Sequence, residues 1–177
     1  MQPFKCFEPN VKVGPSSVLG LGLGLFARRD IHIHQVVCVY SGEKVQCVDG
    51  NSSEYLVQAD WQNPATGDVE TWFLDATSTN TAAGRWANDA CDYEGLDESF
   101  KTNRKTNIAF RLRIAKYKHL RIGQWYIELY AIEHIVAGQE LFVRYGTQYW
   151  NRYCKYFKGK DPNIYTGRIA DNILSNV

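Results

Sequence analysis

The chain has 177 residues, of which 45% are hydrophobic, and its 20 basic and 19 acidic residues leave a formal net charge of +1. A chain of this length can bury one sizeable core but leaves little room for a second independent domain. The near-neutral balance excludes a strongly basic protein, so charge alone gives no reason to expect a nucleic-acid partner.

Two features bear on the compartment. The first residues, Met1–Cys6, lack the apolar run of a secretory signal, and no stretch approaches the roughly 20 apolar residues that span a bilayer. The five cysteines are an odd set without close pairing, which argues against a disulfide framework and is typical of a reducing compartment. The sequence therefore predicts a soluble intracellular protein without a membrane partner.

Short segments rich in β-branched and aromatic residues predict a chain dominated by strands. In chain order, the clearest predicted strands are Val36–Tyr40, Trp72–Leu74, the alternating segment 108–114 and the alternating segment 125–131. We expect the last two to pair antiparallel across the basic segment 116–121. The segment 49–70 is polar and turn-rich, and we interpret it mostly as an excursion from the core with a short strand at Tyr55–Val57.

Helical signals are few. They comprise a short turn around Thr81–Trp86, a second signal over Tyr149–Phe157, and the stretch after Pro162. Together with the predicted strands, they indicate an irregular, mainly β architecture with short helices (α+β).

A glycine-rich segment precedes the first predicted strand. Gly22–Ala27 formally matches the dinucleotide-binding fingerprint, but that fingerprint requires a helix directly after it. Here the chain runs through the largely polar residues 28–35 into Val36–Tyr40, so no helix N-terminus is available to hold a pyrophosphate. We reject a Rossmann interpretation. The segment is then either a flexible turn or a backbone that a ligand approaches closely.

Four sequence blocks follow one another along the chain. They are Gly22-Leu23-Gly24, Tyr40-Ser41-Gly42, Gly84–Cys91 with the later Asn107, and Gly138–Gly146. In this order they resemble the blocks of SET-domain protein lysine methyltransferases. The resemblance implies a β-fold of several small sheets in which the third block threads near the fourth as a pseudoknot. It also implies S-adenosyl-L-methionine as cofactor and a target lysine entering from the opposite face.

The resemblance divides the chain into three parts. We expect an N-terminal extension over residues 1–9, a SET domain over 10–150 with an insert at about 49–70, and a C-terminal lid or helical extension over 151–177. Plain packing of a terminal helix is the alternative for the last part. No Cys-x-Cys cluster follows the domain, and Cys91 and Cys154 alone cannot make a four-ligand zinc site, so we expect no metal. Cys91 lacks an indicated histidine partner, and we interpret it as structural.

By resemblance, the first and third blocks hold the cofactor. The candidate residues are Gly22, Leu23, Gly24, Tyr55, Arg85, Asn88 and Asp89. Backbone groups of the glycine block would contact the methionine moiety and adenine, while Asn88 would bond the amino-acid end with help from Arg85. The alternatives are a surface ion pair for Arg85 and a turn residue for Asn88. Asn107 is expected to clamp the third block by hydrogen bonding.

Methyl transfer from a sulfonium to an amine requires nitrogen, carbon and sulfur in line, so the chemistry needs a narrow channel more than a strong base. Aromatic walls suit the lysine stem and its charge. The resemblance implies Tyr145 as the catalytic residue and Tyr40 as a channel wall, although each could be a core tyrosine. The other channel candidates are Val143, Tyr149 and Trp150. Val143 stands where the family has Phe or Tyr and implies space for more than one methyl group.

Some positions depart from the family pattern. Asp89-Ala90 replaces His-Ser, Arg144 replaces the Asp before the final Tyr, and a polar insertion at 92–105 delays Asn107. A catalytically inactive SET-like peptide-binding module is therefore an alternative to the enzyme. The resemblance implies a histone tail as substrate and hence the nucleus, with a non-histone protein and the cytoplasm as alternatives.

Overall fold

The computed structural model describes residues 8–18, 21–45, 55–62, 66–77, 82–92, 103–114, 125–146 and 149. These residues contain ten strands: β1 (Val11–Pro15), β2 (Leu23–Ala27), β3 (Val36–Tyr40), β4 (Glu43–Val45), β5 (Leu56–Gln62), β6 (Val69–Asp75), β7 (Asn88–Asp89), β8 (Ile108–Ile114), β9 (Trp125–Ala131) and β10 (Glu140–Val143). They also contain two short 3-10 helices, Glu8–Asn10 and Ala83–Trp86.

The strands form three small sheets rather than one large one. Their orders are β1-β2-β10-β7, β3-β9-β8 and β4-β6-β5. Neighbouring strands are antiparallel except for the parallel pair of β10 and β7. The expected mainly β fold of several small sheets is confirmed. In the part of the chain described, no helix is long and apolar enough to cross a membrane.

The predicted antiparallel pair of long strands is confirmed. β8 and β9 pair along their whole length, from Ile108 opposite Ala131 to Ile114 opposite Trp125. Side chains on both faces of β9 are buried, including the carboxylate of Glu128. Arg111 pairs with this carboxylate at 2.7 Å, since an unpaired charge would be costly at a buried position.

The predicted helical turn near residues 81–86 is confirmed by the 3-10 helix Ala83–Trp86. Apart from Tyr149, the signals over Tyr149–Phe157 and after Pro162 lie outside the described residues. Within the polar segment 49–70, the seven-residue strand β5 replaces the short strand expected at Tyr55–Val57. It forms a hairpin with β6 whose inner end packs on the core through Tyr55 and Val57.

The parallel pairing of β7 with β10 brings the third sequence block against the fourth. Phe142 lies opposite Asn88, and Val143 lies opposite Asp89. Asn107, which is 1% exposed, ties the same strand from another side. Its side-chain Nδ2 donates to the carbonyl of Glu140 at 2.9 Å, and its Oδ1 accepts from the N–H of Phe142 at 2.8 Å. Asn107 is therefore the expected clamp, and it holds the two blocks in the juxtaposition that a pseudoknot requires.

Candidate functional site

The third block packs closely against the sheet β3-β9-β8. A side chain at Gly84 would overlap with Leu129 and approach the carbonyl oxygen of Val39 to 2.5 Å. Only glycine allows this approach of the 3-10 helix to β3 and β9. This close contact fixes the position of the 3-10 helix and therefore of β7, which begins two residues after the helix ends.

Tyr145 follows β10 and is held by the third block at two points. Its hydroxyl donates to the carbonyl oxygen of Ala87 at 2.8 Å, and its backbone N–H donates to Oδ2 of Asp89 at 3.1 Å. Its ring meets that of Tyr149 edge to face, with centroids 4.6 Å apart. The side chain is half-buried, so it combines a fixed orientation with access from outside.

Asp89 occupies the position where the resemblance expects histidine. It is 4% exposed, and besides Tyr145 it accepts the N–H of Cys91 through Oδ1 at 2.8 Å. Hydrogen bonds from two backbone donors compensate for burying a carboxylate. The departure from histidine thus creates a direct bond between the third block and the backbone of Tyr145.

Tyr40 ends β3 and is 5% exposed. Its hydroxyl donates to the carbonyl oxygen of Tyr55 at 2.5 Å, and its ring lies edge to face against Phe110 at 6.0 Å. Burial raises the pKa of Tyr40 well above its usual value, and the nearby guanidinium of Arg85 offsets only part of this effect. The hydroxyl therefore stays protonated throughout the physiological pH range.

Arg85 is buried between aromatic rings. It is 6% exposed, and its Cζ lies 4.2 Å from the ring centroid of Tyr55 and 4.6 Å from that of Trp86. Cation–π attraction offsets part of the cost of burying this charge, but Nε and Nη1 have no hydrogen-bond partner in the part of the chain that the structure describes. The alternative of a surface ion pair is wrong, because the guanidinium is inside the protein.

Asn88 faces the glycine block. Its Nδ2 donates to the carbonyl oxygen of Leu23 at 3.0 Å and lies 3.5 Å from Oε1 of Glu140. Gly22 has a φ of 66°, in the left-handed region that favours glycine, directly before Leu23 and Gly24 enter β2. Asn88 belongs to strand β7, so the alternative of a turn residue is wrong.

The predicted site residues do not all come together. Arg85 contacts Tyr55 and Trp86, whereas Asn88 contacts Leu23 and Glu140, so the two candidates for the amino-acid end have different neighbours. The substrate-channel candidate Val143 is 0% exposed and belongs to the hydrophobic core. Trp150 lies outside the described residues.

The unusual Arg144 has a partner at the start of the polar insertion. Its Nη2 lies 3.5 Å from Oδ1 of Asp92, and the other carboxylate oxygen accepts the N–H of Thr106 at 2.8 Å. Burial alone would raise the pKa of Asp92, but the hydrogen bonds from Thr106 and the charge of Arg144 together hold it below its usual value. Sequence reasoning missed this pair, although two unlike charges at departing positions were a signal for it.

Sequence reasoning also missed Glu140, the first residue of β10, which is 6% exposed. Its carboxylate accepts hydrogen bonds from Ser16 and Ser17 and lies near Asn88. The available signal was an acidic residue at the start of an otherwise apolar strand. Such a carboxylate is expected to be buried with the strand, and a buried carboxylate needs hydrogen-bond donors around it.

Cys91 should react very slowly with iodoacetamide at pH 8 in the folded protein. Its side chain is buried, and burial, followed by the charges of Asp89 and Asp92, raises the pKa of the thiol to about 12. The nucleophilic thiolate is therefore scarce, and reaction should become appreciable only as the pH approaches that pKa. Mass spectrometry of the alkylated peptides checks this, with urea-unfolded protein as control. Fast labelling of Cys91 in folded protein would contradict its interpretation as structural.

Within the described residues, no group of three or more His, Cys, Asp or Glu side chains is arranged to hold a metal ion.

Comparison with known proteins places these features in a family. The SET domain model matches residues 22–146. Histone-lysine N-methyltransferase EZH2 of Chaetomium thermophilum is 28% identical over 141 residues, a match that covers 80% of this chain and 8% of that protein.

Two solved structures are also similar to the chain. "ctPRC2 in an autoinhibited conformation bound to S-adenosylmethionine" has a TM-score of 0.52 and 25% identity, covering 84% of this chain and 16% of that chain. "Crystal structure of an active polycomb repressive complex 2 in the basal state" has a TM-score of 0.51 and 27% identity, covering 77% and 15%. The chain thus spans only a small part of the relatives it matches. Because the matched region runs from the glycine block through Tyr145, the chain belongs to the SET-domain family.

Proposed function

We propose that this chain is an S-adenosyl-L-methionine-dependent protein lysine N-methyltransferase. The observation that carries the proposal is the anchoring of Tyr145 by Ala87 and Asp89, the two residues that flank Asn88, whose side chain bonds the glycine block at Leu23. This arrangement joins the expected catalytic residue and the expected cofactor residues in one unit. Asp89, which replaces the histidine of the family pattern, adds a hydrogen bond to the backbone of Tyr145. This added bond favours an enzyme over an inactive peptide-binding module.

The proposed cofactor site uses the backbone of Gly22, Leu23 and Gly24, the side chain of Asn88, and the main chain of Asp89, whose carboxylate already serves two backbone amides. Arg85 and Tyr55 have other neighbours than Asn88, and we propose that they border the cofactor on a second side. The unpartnered Nε and Nη1 of Arg85 fit a site that is completed by a polar group of a ligand, since buried donors without partners are costly. Bound S-adenosyl-L-methionine supplies the methyl group on a positively charged sulfur.

Tyr145 and Tyr40 have a common hydrogen-bonding pattern. Each hydroxyl hydrogen points to a backbone carbonyl, of Ala87 and of Tyr55 respectively, so each oxygen turns its lone pairs elsewhere. Lone pairs of this kind attract an amine and a positively polarised methyl group. Tyr145 thereby orients the attacking nitrogen, while the aromatic walls desolvate the lysine and lower its pKa, so that the amine is more readily deprotonated.

The proposed substrate is a lysine of a histone tail, and a nuclear location follows from it. The similarity to a protein named a histone-lysine N-methyltransferase supports this choice. A non-histone protein is the alternative substrate. Incubation with labelled S-adenosyl-L-methionine and separate histone and cytosolic protein fractions tests the choice. Labelled histones would support the proposal, and label in cytosolic proteins alone would favour the alternative substrate. If folded protein neither binds the cofactor nor transfers label, the proposal that the chain is an enzyme is overturned.

Asn88→Ala should weaken the binding of S-adenosyl-L-methionine by about tenfold or more, because a hydrogen bond to a charged group is worth about 1.5 to 3 kcal/mol. Isothermal titration calorimetry measures the dissociation constant, and a melting curve checks the fold. Asn103→Ala is a matched control, since Asn103 is exposed and outside the proposed site. A dissociation constant equal to that of the control would remove Asn88 from the cofactor site.

A further inference from the structure

The carboxylate of Glu140 binds the start of the loop that leads from β1 to the glycine block. Oε1 accepts the hydroxyl of Ser16 at 2.7 Å, and Oε2 accepts both the N–H of Ser17 at 2.7 Å and its hydroxyl at 2.5 Å. The backbone N–H of Ser16 in turn donates to the carbonyl of Gly22 at 2.8 Å. The buried acid therefore fixes the first two residues of this loop, and the backbone bond of Ser16 joins them to its other end.

The same carboxylate explains why residue 24 is glycine. A Cβ at Gly24 would overlap with Oε1 of Glu140, and it would lie 3.0 Å from Cδ of Glu140 and 3.3 Å from Nδ2 of Asn88. Both groups belong to well-bonded parts of the protein, so neither is free to give way. The missing side chain at Gly24 makes room for protein atoms, independently of any ligand.

Glu140 also acts on Asn88. The amide Nδ2 of Asn88 lies between two acceptors, the carbonyl of Leu23 at 3.0 Å and Oε1 of Glu140 at 3.5 Å. Because both neighbours accept hydrogen bonds, the NH₂ end of the amide faces them. The amide oxygen is then directed to the other side, where it can accept a hydrogen bond from a ligand.

We propose that Glu140 is a positioning residue for cofactor binding: its buried carboxylate sets the loop at Ser16 and Ser17, the backbone at Gly24 and the amide of Asn88 in the geometry that S-adenosyl-L-methionine requires. This inference rests on the proposed function, in which the glycine block and Asn88 hold the cofactor. Glu140 itself touches neither substrate nor cofactor. Its loss should therefore raise the KM for the cofactor and leave kcat nearly unchanged.

The test is Glu140→Gln, which keeps the size of the side chain but replaces one acceptor oxygen with an NH₂ donor. That donor faces groups that themselves donate, so we expect the dissociation constant and the KM for the cofactor to rise about tenfold, with kcat within about twofold. Glu133→Gln is the control, because Glu133 is exposed in a bend after β9. If Glu140→Gln does not fold, Ser17→Ala carries a milder form of the test, because Ser17 is exposed and the substitution removes its hydroxyl bond to Glu140 while its backbone bond remains.

The outcomes distinguish this inference from the function on which it rests. If folded wild-type protein does not bind S-adenosyl-L-methionine, the proposed function fails and the inference fails with it. If wild-type protein binds and Glu140→Gln or Ser17→Ala binds equally well, the inference alone is overturned. A fall in kcat without a change in KM would also overturn it, since that result assigns Glu140 to the chemical step.

Discussion

Tyr145→Phe should lower the rate of methyl transfer by a factor on the order of 10² to 10⁴, the range found for groups that act in proton transfer and charge stabilisation at the reacting centre. The affinity for S-adenosyl-L-methionine should change by no more than about twofold, because the hydroxyl acts mainly in the transition state. The backbone of Tyr145 remains bonded to Asp89, and its ring remains packed against Tyr149, so the phenylalanine should keep its place.

Single-turnover kinetics with mass spectrometry of the methylated substrate measure the rate, and calorimetry measures the cofactor affinity. Tyr130→Phe provides the matched control, because Tyr130 is a half-buried tyrosine that contacts Arg111 and lies outside the proposed site. Full activity in Tyr145→Phe would rule out the catalytic assignment. An equal loss in both variants would indicate a general effect of removing a hydroxyl.

The strands that sequence predicted best are those with the most regular burial. β3 is a run of apolar residues that are buried at nearly every position, and residues 126–131 of β9 are buried almost throughout, so both segments stand out in the sequence. β5 was underestimated because its hairpin with β6 is partly solvated: Gln58 and Asp60 are exposed, and Val69 is 65% exposed. A hydrogen bond from Thr71 to Asp60 at 2.8 Å supports the pairing across the hairpin. Such polar cross-strand bonds leave no apolar pattern in the sequence.

In the candidate site, sequence identified residues by their place in the blocks but could not supply their internal partners. The bond between Tyr145 and Asp89 joins residues 56 positions apart, and the bond between Glu140 and Ser17 joins residues 123 positions apart. Contacts of this range depend on the sheet order, which local propensity does not determine. The burial of Arg85 was missed for the same reason. Its aromatic neighbour Tyr55 lies directly before β5, a strand of a different sheet and far from Arg85 in the sequence.

The departures from the family pattern form compensating contacts rather than isolated losses. Asp89 accepts a hydrogen bond from the backbone N–H of Tyr145. Arg144, the residue before Tyr145, forms an ion pair with Asp92. The two carboxylates lie at either end of the short segment 89–92, and the two contacts hold it to the end of β10 from both sides. The polar insertion that follows Asp92 is thereby closed at its base, where Asp92 also accepts hydrogen bonds from Thr106.

Asn107→Ala should lower the free energy of unfolding by about 2 to 6 kcal/mol, because it leaves two buried backbone groups without partners and each costs about 1 to 3 kcal/mol. These groups are the carbonyl of Glu140 and the N–H of Phe142, which the side chain of Asn107 now satisfies at 2.9 Å and 2.8 Å. In a protein of this size each kcal/mol corresponds to about 2 to 4 °C in Tm. Asn107→Ala should therefore melt at least about 4 °C lower than wild type.

Thermal and urea unfolding followed by circular dichroism measure this effect, with Asn103→Ala as the control for removing an exposed asparagine from the same part of the chain. The clamp joins the third block to β10, so its loss should also loosen the segment that carries Asn88 and weaken cofactor binding at temperatures well below Tm. Adding the same high concentration of S-adenosyl-L-methionine should raise the Tm of wild type more than that of Asn107→Ala, since at equal ligand concentration the lower dissociation constant gives the larger stabilisation. A Tm for Asn107→Ala equal to that of the control would mean that the two backbone groups find other partners, and that the pairing of β7 with β10 alone holds the blocks together.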